Sequence, residues 1–268
     1  MDTGRLLLAL RLARPGRRRG FCPACGQGLR GGAVADGGIE VAADGLTVAA
    51  VLGLAAVAWA VTAWQMLAAP GMTMGLGTPA SFVTTWAVMM AAMMLPSALP
   101  LVYRFARLAE GRRSQPAAVA VLGLVYLAVW LGFGALAYVA YNALGMPWPN
   151  HALVGGVALA LAALYALTPL KRISQDRCRE VCALHGPLPF TLVRAGAVAG
   201  WRYGLSCLGC SAGLMVAMVL VGMTSLGWTI VLAALVLVYK FAPPATWRLD
   251  VALAALVAVL GIVYAALA

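Results

Sequence analysis

Seven stretches of this sequence, residues 47–67, 80–103, 117–141, 152–170, 203–223, 226–241 and 249–267, are almost wholly apolar. A helix needs about 20 such residues to cross a ~30 Å hydrocarbon core, and in lipid the backbone must satisfy its own hydrogen bonds. The chain is therefore expected to be all-α, a polytopic bundle of about seven transmembrane helices (six or seven). The fifth and sixth runs form a tight pair whose turn at Thr224, Ser225 and Leu226 leaves the sixth short. Composition agrees, because 63% of the 268 residues are hydrophobic and only 10% are charged. A soluble domain carries about 25% charged residues, so one water-solvated core could not hide this apolar surface.

The charged residues sort to one side. Of the 19 Lys and Arg, seven precede the first run, Arg104, Arg107, Arg112 and Arg113 follow the second, six between Lys171 and Arg202 follow the fourth, and Lys240 and Arg248 are assigned between the sixth and seventh. That alternation fits the positive-inside rule with the N-terminus in the cytoplasm and the C-terminus outside, as in a bacterial inner membrane. The net charge of +11 is thus read as loop charge facing a lipid bilayer, not as a footprint for nucleic acid. Residues 1–46 form a basic, Gly-rich cytoplasmic extension and 47–268 the membrane domain. With every acidic residue in the same loops, the membrane interior is expected to hold no formal charge. Routes for protons or hard divalent ions normally need buried carboxylates or histidines, so neither is expected here.

The six cysteines come as three pairs, Cys22 with Cys25, Cys178 with Cys182, and Cys207 with Cys210. All three fall on or near the cytoplasmic side, where thiols stay reduced and act as metal ligands or redox groups. The first pair forms a CxxC knuckle that supplies half of a tetrahedral zinc site, with no second half nearby. The other two pairs are spaced i, i+4 and i, i+3, so each lies on one helix face. Two thiolates so placed suit a soft, low-coordinate ion such as Cu(I), and four together suit Zn. Cysteine is also an ordinary small apolar residue in packed membrane helices, and Gly204, Gly209 and Gly213 mark a close helix contact beside Cys207 and Cys210.

Methionine is the other soft donor. Met89 stacks on Met93 and Met90 on Met94, one turn apart ahead of Pro96, and Met215 and Met218 follow Cys210. Neutral thioethers bind Cu(I) without burying charge, although methionine equally serves as filler in irregular gaps. Met66, Met72, Met74, Met146 and Met223 are expected together at the outer face. His151 and His185 are lone histidines that act as ligands or as interfacial polar groups. No catalytic triad, phosphate loop or paired carboxylates occur, so hydrolase, kinase and glycosidase readings lack their chemistry.

Four segments taken together are distinctive: Trp86-Ala-Val-Met89-Met90-Ala-Ala-Met93-Met94-Leu95-Pro96-Ser97-Ala-Leu-Pro100, Thr168-Pro169-Leu170-Lys171, Cys178-Arg-Glu-Val-Cys182 and Gly204-Leu-Ser-Cys207-Leu-Gly209-Cys210. They resemble the metal-binding integral membrane family known as domain of unknown function 2182 over well more than half of the chain. The resemblance implies a metal-binding membrane protein. That family continues the Cys-Leu-Gly-Cys segment with a further Cys and ends its sixth span with Glu-Lys, where this chain has Ser211 and Tyr239 followed by Lys240. One thiolate and one carboxylate are thereby removed from any site built the same way.

The leading expectation is a membrane protein that binds, transfers or delivers Cu(I), with zinc as the other metal its cysteines could hold, a metallochaperone or metalloenzyme as partner, and room for a homo-oligomer. A membrane thiol oxidoreductase, and a structural or assembly subunit with a cytoplasmic zinc–thiolate site, are the alternatives.

Overall fold

The computed structural model describes residues 40–68, 76–146, 148–182, 191–221, 225–241 and 247–267. These residues form eight helices: α1 (Glu40–Ala68), α2 (Pro79–Leu108), α3 (Gln115–Ala143), α4 (His151–Ala166), α5 (Pro169–Cys182), α6 (Leu192–Val221), α7 (Leu226–Phe241) and α8 (Trp247–Leu267). No strand occurs among the described residues. Local chemistry sets the boundaries. Before α2, Gly77 turns the chain at φ 70°, Thr78 Oγ1 accepts the Ser81 amide at 3.3 Å, and Pro79 takes the first helical position, where a missing N–H leaves nothing unsatisfied. Gly111 and Gly145, at φ 74° and 65°, follow α2 and α3 with the left-handed backbone that other residues resist. α2 continues through Pro96 and Pro100.

Among the described residues, the helices long and apolar enough to cross a membrane number fewer than the seven apolar runs. Four stretches, Gly45–Ala68, Pro79–Leu108, Gln115–Ala143 and Leu192–Val221, are long and apolar enough. The fourth apolar run is broken, because α4 and the first part of α5 meet at 69°, and counting that pair as one span gives five. Pro169 opens α5 just after the break, and Thr168 Oγ1 accepts the Lys171 amide at 3.4 Å to cap it. Summing hydropathy over residues 152–170 cannot register such a bend. α7 has 16 residues, about 24 Å at 1.5 Å per residue, and the apolar part of α8 is similarly short at Asp250–Ala266.

α6 is the hub of the bundle, packing against α3, α4, α5 and α7. Its glycines allow this. Gly196 and Gly200 bring its backbone against the carbonyls of Ala118 and Leu122 on α3, and Gly204 faces Val129 of the same helix. Gly209 faces Ser174 of α5, and Gly213 faces Tyr165 of α4. The close contact expected at Gly204, Gly209 and Gly213 therefore serves three different helices. α2 lies against α1 and α3, and α4 against α8. Leu54, Val57 and Trp64 of α1, Leu124 and Leu136 of α3, and Ile262 of α8 all point outward, a surface that lipid accepts and water does not.

The α3–α6 contact makes a test. A methyl group at Gly200 meets the Leu122 carbonyl, whereas one at Gly132 meets nothing. Gly200→Ala should lower the melting temperature in detergent by the equivalent of about 1–3 kcal/mol, and Gly132→Ala should not. Equal melting of both variants with the parent would show that the two backbones are not in contact.

Candidate metal centre

Cys207 and Cys210 lie one turn apart on α6, and α5 brings Cys178 onto them. All three are free thiols; Cys178 and Cys207 are buried and Cys210 is half-buried. The Cys210 thiol interacts with those of both Cys178 and Cys207, and it also donates to the Cys207 carbonyl at 3.2 Å. Cys178 thus meets thiols of another helix. The spacing-based pairing of Cys178 with Cys182 is not described, since Cys182 ends α5 with its side chain outside the described residues, as are Cys22 and Cys25 altogether.

From α7, Lys240 reaches into the same place. Its Nζ donates to Ser97 Oγ at 2.7 Å, to Tyr203 OH at 3.3 Å and to Cys207 Sγ at 2.9 Å. An ammonium has three donors and no acceptor, so these partners use all three. The partners are themselves fixed. Ser97 Oγ donates to the Met94 carbonyl at 2.7 Å, Tyr203 OH donates to the Ser97 carbonyl at 2.8 Å, and Tyr126 OH shares a 3.2 Å hydrogen bond with Cys207 Sγ. The rings of Tyr126 and Tyr203 pack with centroids 5.3 Å apart. An uncharged interior, as the loop assignment of Lys240 implied, is therefore incorrect for this bundle. A long aliphatic stem lets the ammonium leave the position of its Cα and find acceptors elsewhere.

A second charged group sits alongside. Lys171 of α5 and Asp250 of α8 pair at 3.6 Å with side chains only 3% and 5% exposed, and Arg172 Nε lies 3.4 Å from the other Asp250 oxygen. Lys171 Nζ also stands over the Tyr239 ring, 4.1 Å from its centroid, and Gln175 donates to the Tyr239 carbonyl at 3.0 Å. These contacts hold α5, and with it Cys178, against α7 and α8.

Between the two groups is a cavity of about 30 Å³, bordered by Cys178, Cys210, Ser211, Lys171, Tyr239 and Lys240, room for a single water or ion. Ser211 and Tyr239, two of the positions where the chain departs from the family it resembles, both border it. Ser211 Oγ lies 3.5 Å from Cys210 Sγ. Among the described residues no group of three or more His, Cys, Asp or Glu is arranged to hold a metal ion. The thiols offer pairs that share Cys210, and a pair of soft donors fits a soft, low-coordinate monovalent ion better than a tetrahedral Zn(II).

The methionines are placed differently. Met89, Met90, Met93, Met94, Met215 and Met218 are all buried in the core, and none borders either of the cavities beside Cys210. Met94 reaches the centre through its backbone carbonyl. Met66 and Met146 pack against the core. Met72, Met74, Met223 and His185, and the side chain of His151, lie outside the described residues. Sequence reasoning passed over Ser97, Tyr126, Tyr203 and Lys240. For Lys240 a signal existed, because it falls inside the apolar run 226–241, and an ionisable residue inside a span signals an interior partner.

The family described as PpoB2, copper chaperone, matches residues 83–264, a stretch that covers more than half of the chain and contains every residue of the centre. The match supports a copper-related family, without bearing on the label that the motifs resemble. No curated protein and no solved structure matches the chain.

The Lys171–Asp250 pair can be tested on its own. Removing one partner of a buried pair strands the other and typically costs about 3–5 kcal/mol. Asp250→Asn should melt correspondingly earlier in detergent, and Asp250→Asn with Lys171→Met should recover much of the loss. A single variant as stable as the parent would show that the pair does not hold α5 in place.

Proposed function

Because the chain belongs to the PpoB2 copper chaperone family, we propose that it takes up Cu(I) at Cys178, Cys207 and Cys210 and passes it on within a membrane. The observation that carries this reading is that Cys178 and Cys210, free thiols of two different helices, border one cavity the size of a single ion, with Cys207 one turn before Cys210 on α6. Copper is the cargo. Thiolate sulfur favours Cu(I) over hard cations, and each ligand gives up its proton on binding. Cys210 interacts with both of the other thiols, so an ion held by Cys178 and Cys210 can pass to Cys210 and Cys207 by exchanging one sulfur at a time. Cys182 and the Cys22–Cys25 knuckle are the proposed entry ligands. The buried thioethers of Met89, Met90, Met93, Met94, Met215 and Met218 are the proposed onward path, with a metallochaperone donor or metalloenzyme acceptor as partner.

The membrane is proposed to be a bacterial inner membrane, with the N-terminus cytoplasmic. Four long apolar helices, an outward apolar surface and the one-sided basic residues support that placement. A reporter active only outside the cytoplasm should stay silent when fused within residues 111–115 and give signal when fused after Ala268. Signal at 111–115 would reverse the orientation.

Cu(I) stoichiometry, measured without oxygen by competition with a chromophoric Cu(I) chelator, tests the centre. Replacing Cys178, Cys207 and Cys210 by Ser should remove one equivalent that Cys22→Ser with Cys25→Ser leaves in place. Unchanged stoichiometry in the triple variant would overturn the reading. Met→Leu at 89, 90, 93 and 94 should keep the fold, at under about 1.5 kcal/mol per swap, and keep that equivalent, while copper delivery in cells falls. Undiminished delivery would leave these methionines to packing alone.

A further inference from the structure

We propose that Lys240 sets which charge the thiol centre accepts, making it selective for monovalent soft cations over divalent ones. This rests on the reading of Cys178, Cys207 and Cys210 as the ligands. Lys240 is held in the centre by three hydrogen bonds, one of them to Cys207 Sγ at 2.9 Å. It also borders the cavity shared by Cys178 and Cys210, and its Nζ lies 5.0 Å from the centroid of the Tyr203 ring. It stands beside the ligands without being one, since an ammonium has no lone pair to offer.

Charge arithmetic gives the selectivity. Two thiolates around a monovalent ion carry one negative charge, which the ammonium cancels. Two thiolates around a divalent ion are already neutral, and the ammonium then leaves a net positive charge in a poorly solvated interior. Among the described residues no carboxylate borders the cavity to offset it. Lys171, the other cation on the cavity, is paired with Asp250, which Arg172 also approaches, so that group adds no negative charge. Zn(II) also asks for four ligands, and a lysine held as a hydrogen-bond donor to Ser97, Tyr203 and Cys207 supplies none of them.

A purely structural role for Lys240, as a tie between α7 and the bundle, predicts something different. Loss of the tie would loosen the centre for every metal alike, whereas loss of the charge changes the ratio between metals. The experiment uses the full chain in detergent, takes the folded fraction from size exclusion, and measures Cu(I), Ag(I) and Zn(II) affinities by chelator competition for the parent, Lys240→Met, Lys240→Gln and Lys240→Arg. The two neutral variants should lose about 10–100-fold in Cu(I) and Ag(I) affinity, the range found when a group supporting a metal ligand is removed. Their Zn(II) affinity should hold or rise, and Lys240→Arg, which keeps the charge, should keep the parent ratio. Parallel loss of all three metals, or a changed ratio in Lys240→Arg equal to that in Lys240→Met, would overturn the proposal. If no folded neutral variant can be recovered while Lys240→Arg folds and loses the parent ratio, it is overturned as well. Failure of the parent to bind Cu(I) or Ag(I) through the three cysteines would instead sink the ligand assignment, and the two failures are thus separable.

Discussion

An ammonium buried among helices must recover in hydrogen bonds what it loses in hydration, or the charge destabilises the fold that surrounds it. Lys240 does so with Ser97, Tyr203 and Cys207, three acceptors from two helices. Alongside the buried side chains of Leu232 and Val236, this one side chain ties α7 to α2 and α6. Each acceptor is in turn held by a backbone carbonyl or a second side chain, as Ser97 is by Met94 and Cys207 by Tyr126. A polar network this fully satisfied has few alternative arrangements of similar energy, and it fixes where Cys207 sits.

The bend between α4 and α5 does the complementary work from the other side. A straight continuation of α4 would carry Cys178 away along the axis of that helix. The 69° turn lays α5 across α6 instead, where Gly209 leaves room for Ser174 and Cys178 meets Cys210. The Asp250 carboxylate, reached by both Lys171 and Arg172, then anchors the start of α5 to α8. Apolar residues cover the outside of the bundle and the hydrogen-bonding groups gather within, the distribution expected where the surroundings are lipid.

Much of this was legible in residue order. The apolar runs imply helices because no other element satisfies its own backbone without water, and the spacing of Cys207 and Cys210 puts them on one face whatever surrounds them. Gly204, Gly209 and Gly213 announced close contacts, though not that each faces a different element. What order alone missed has a common origin. Residues 152–170 were summed as one span because hydropathy has no direction, and Lys240 was given to a loop because its position along the chain says nothing of where four methylenes can carry its charge. Spacing pairs Cys178 with Cys182, whose side chain lies outside the described residues, and gives no sign that Cys178 also interacts with Cys210, 32 residues away.

The sequence by itself determined the helical class, the apolar exterior and the supply of soft ligands, because these follow from local periodicity and composition. Only the tertiary structure decided which thiols meet, that a positive charge stands beside them, and that the cavity next to Cys210 has room for one ion. Those properties depend on distances between α2, α5, α6 and α7, which are set by a bend, by glycine contacts and by buried polar pairings whose partners are far apart in the chain.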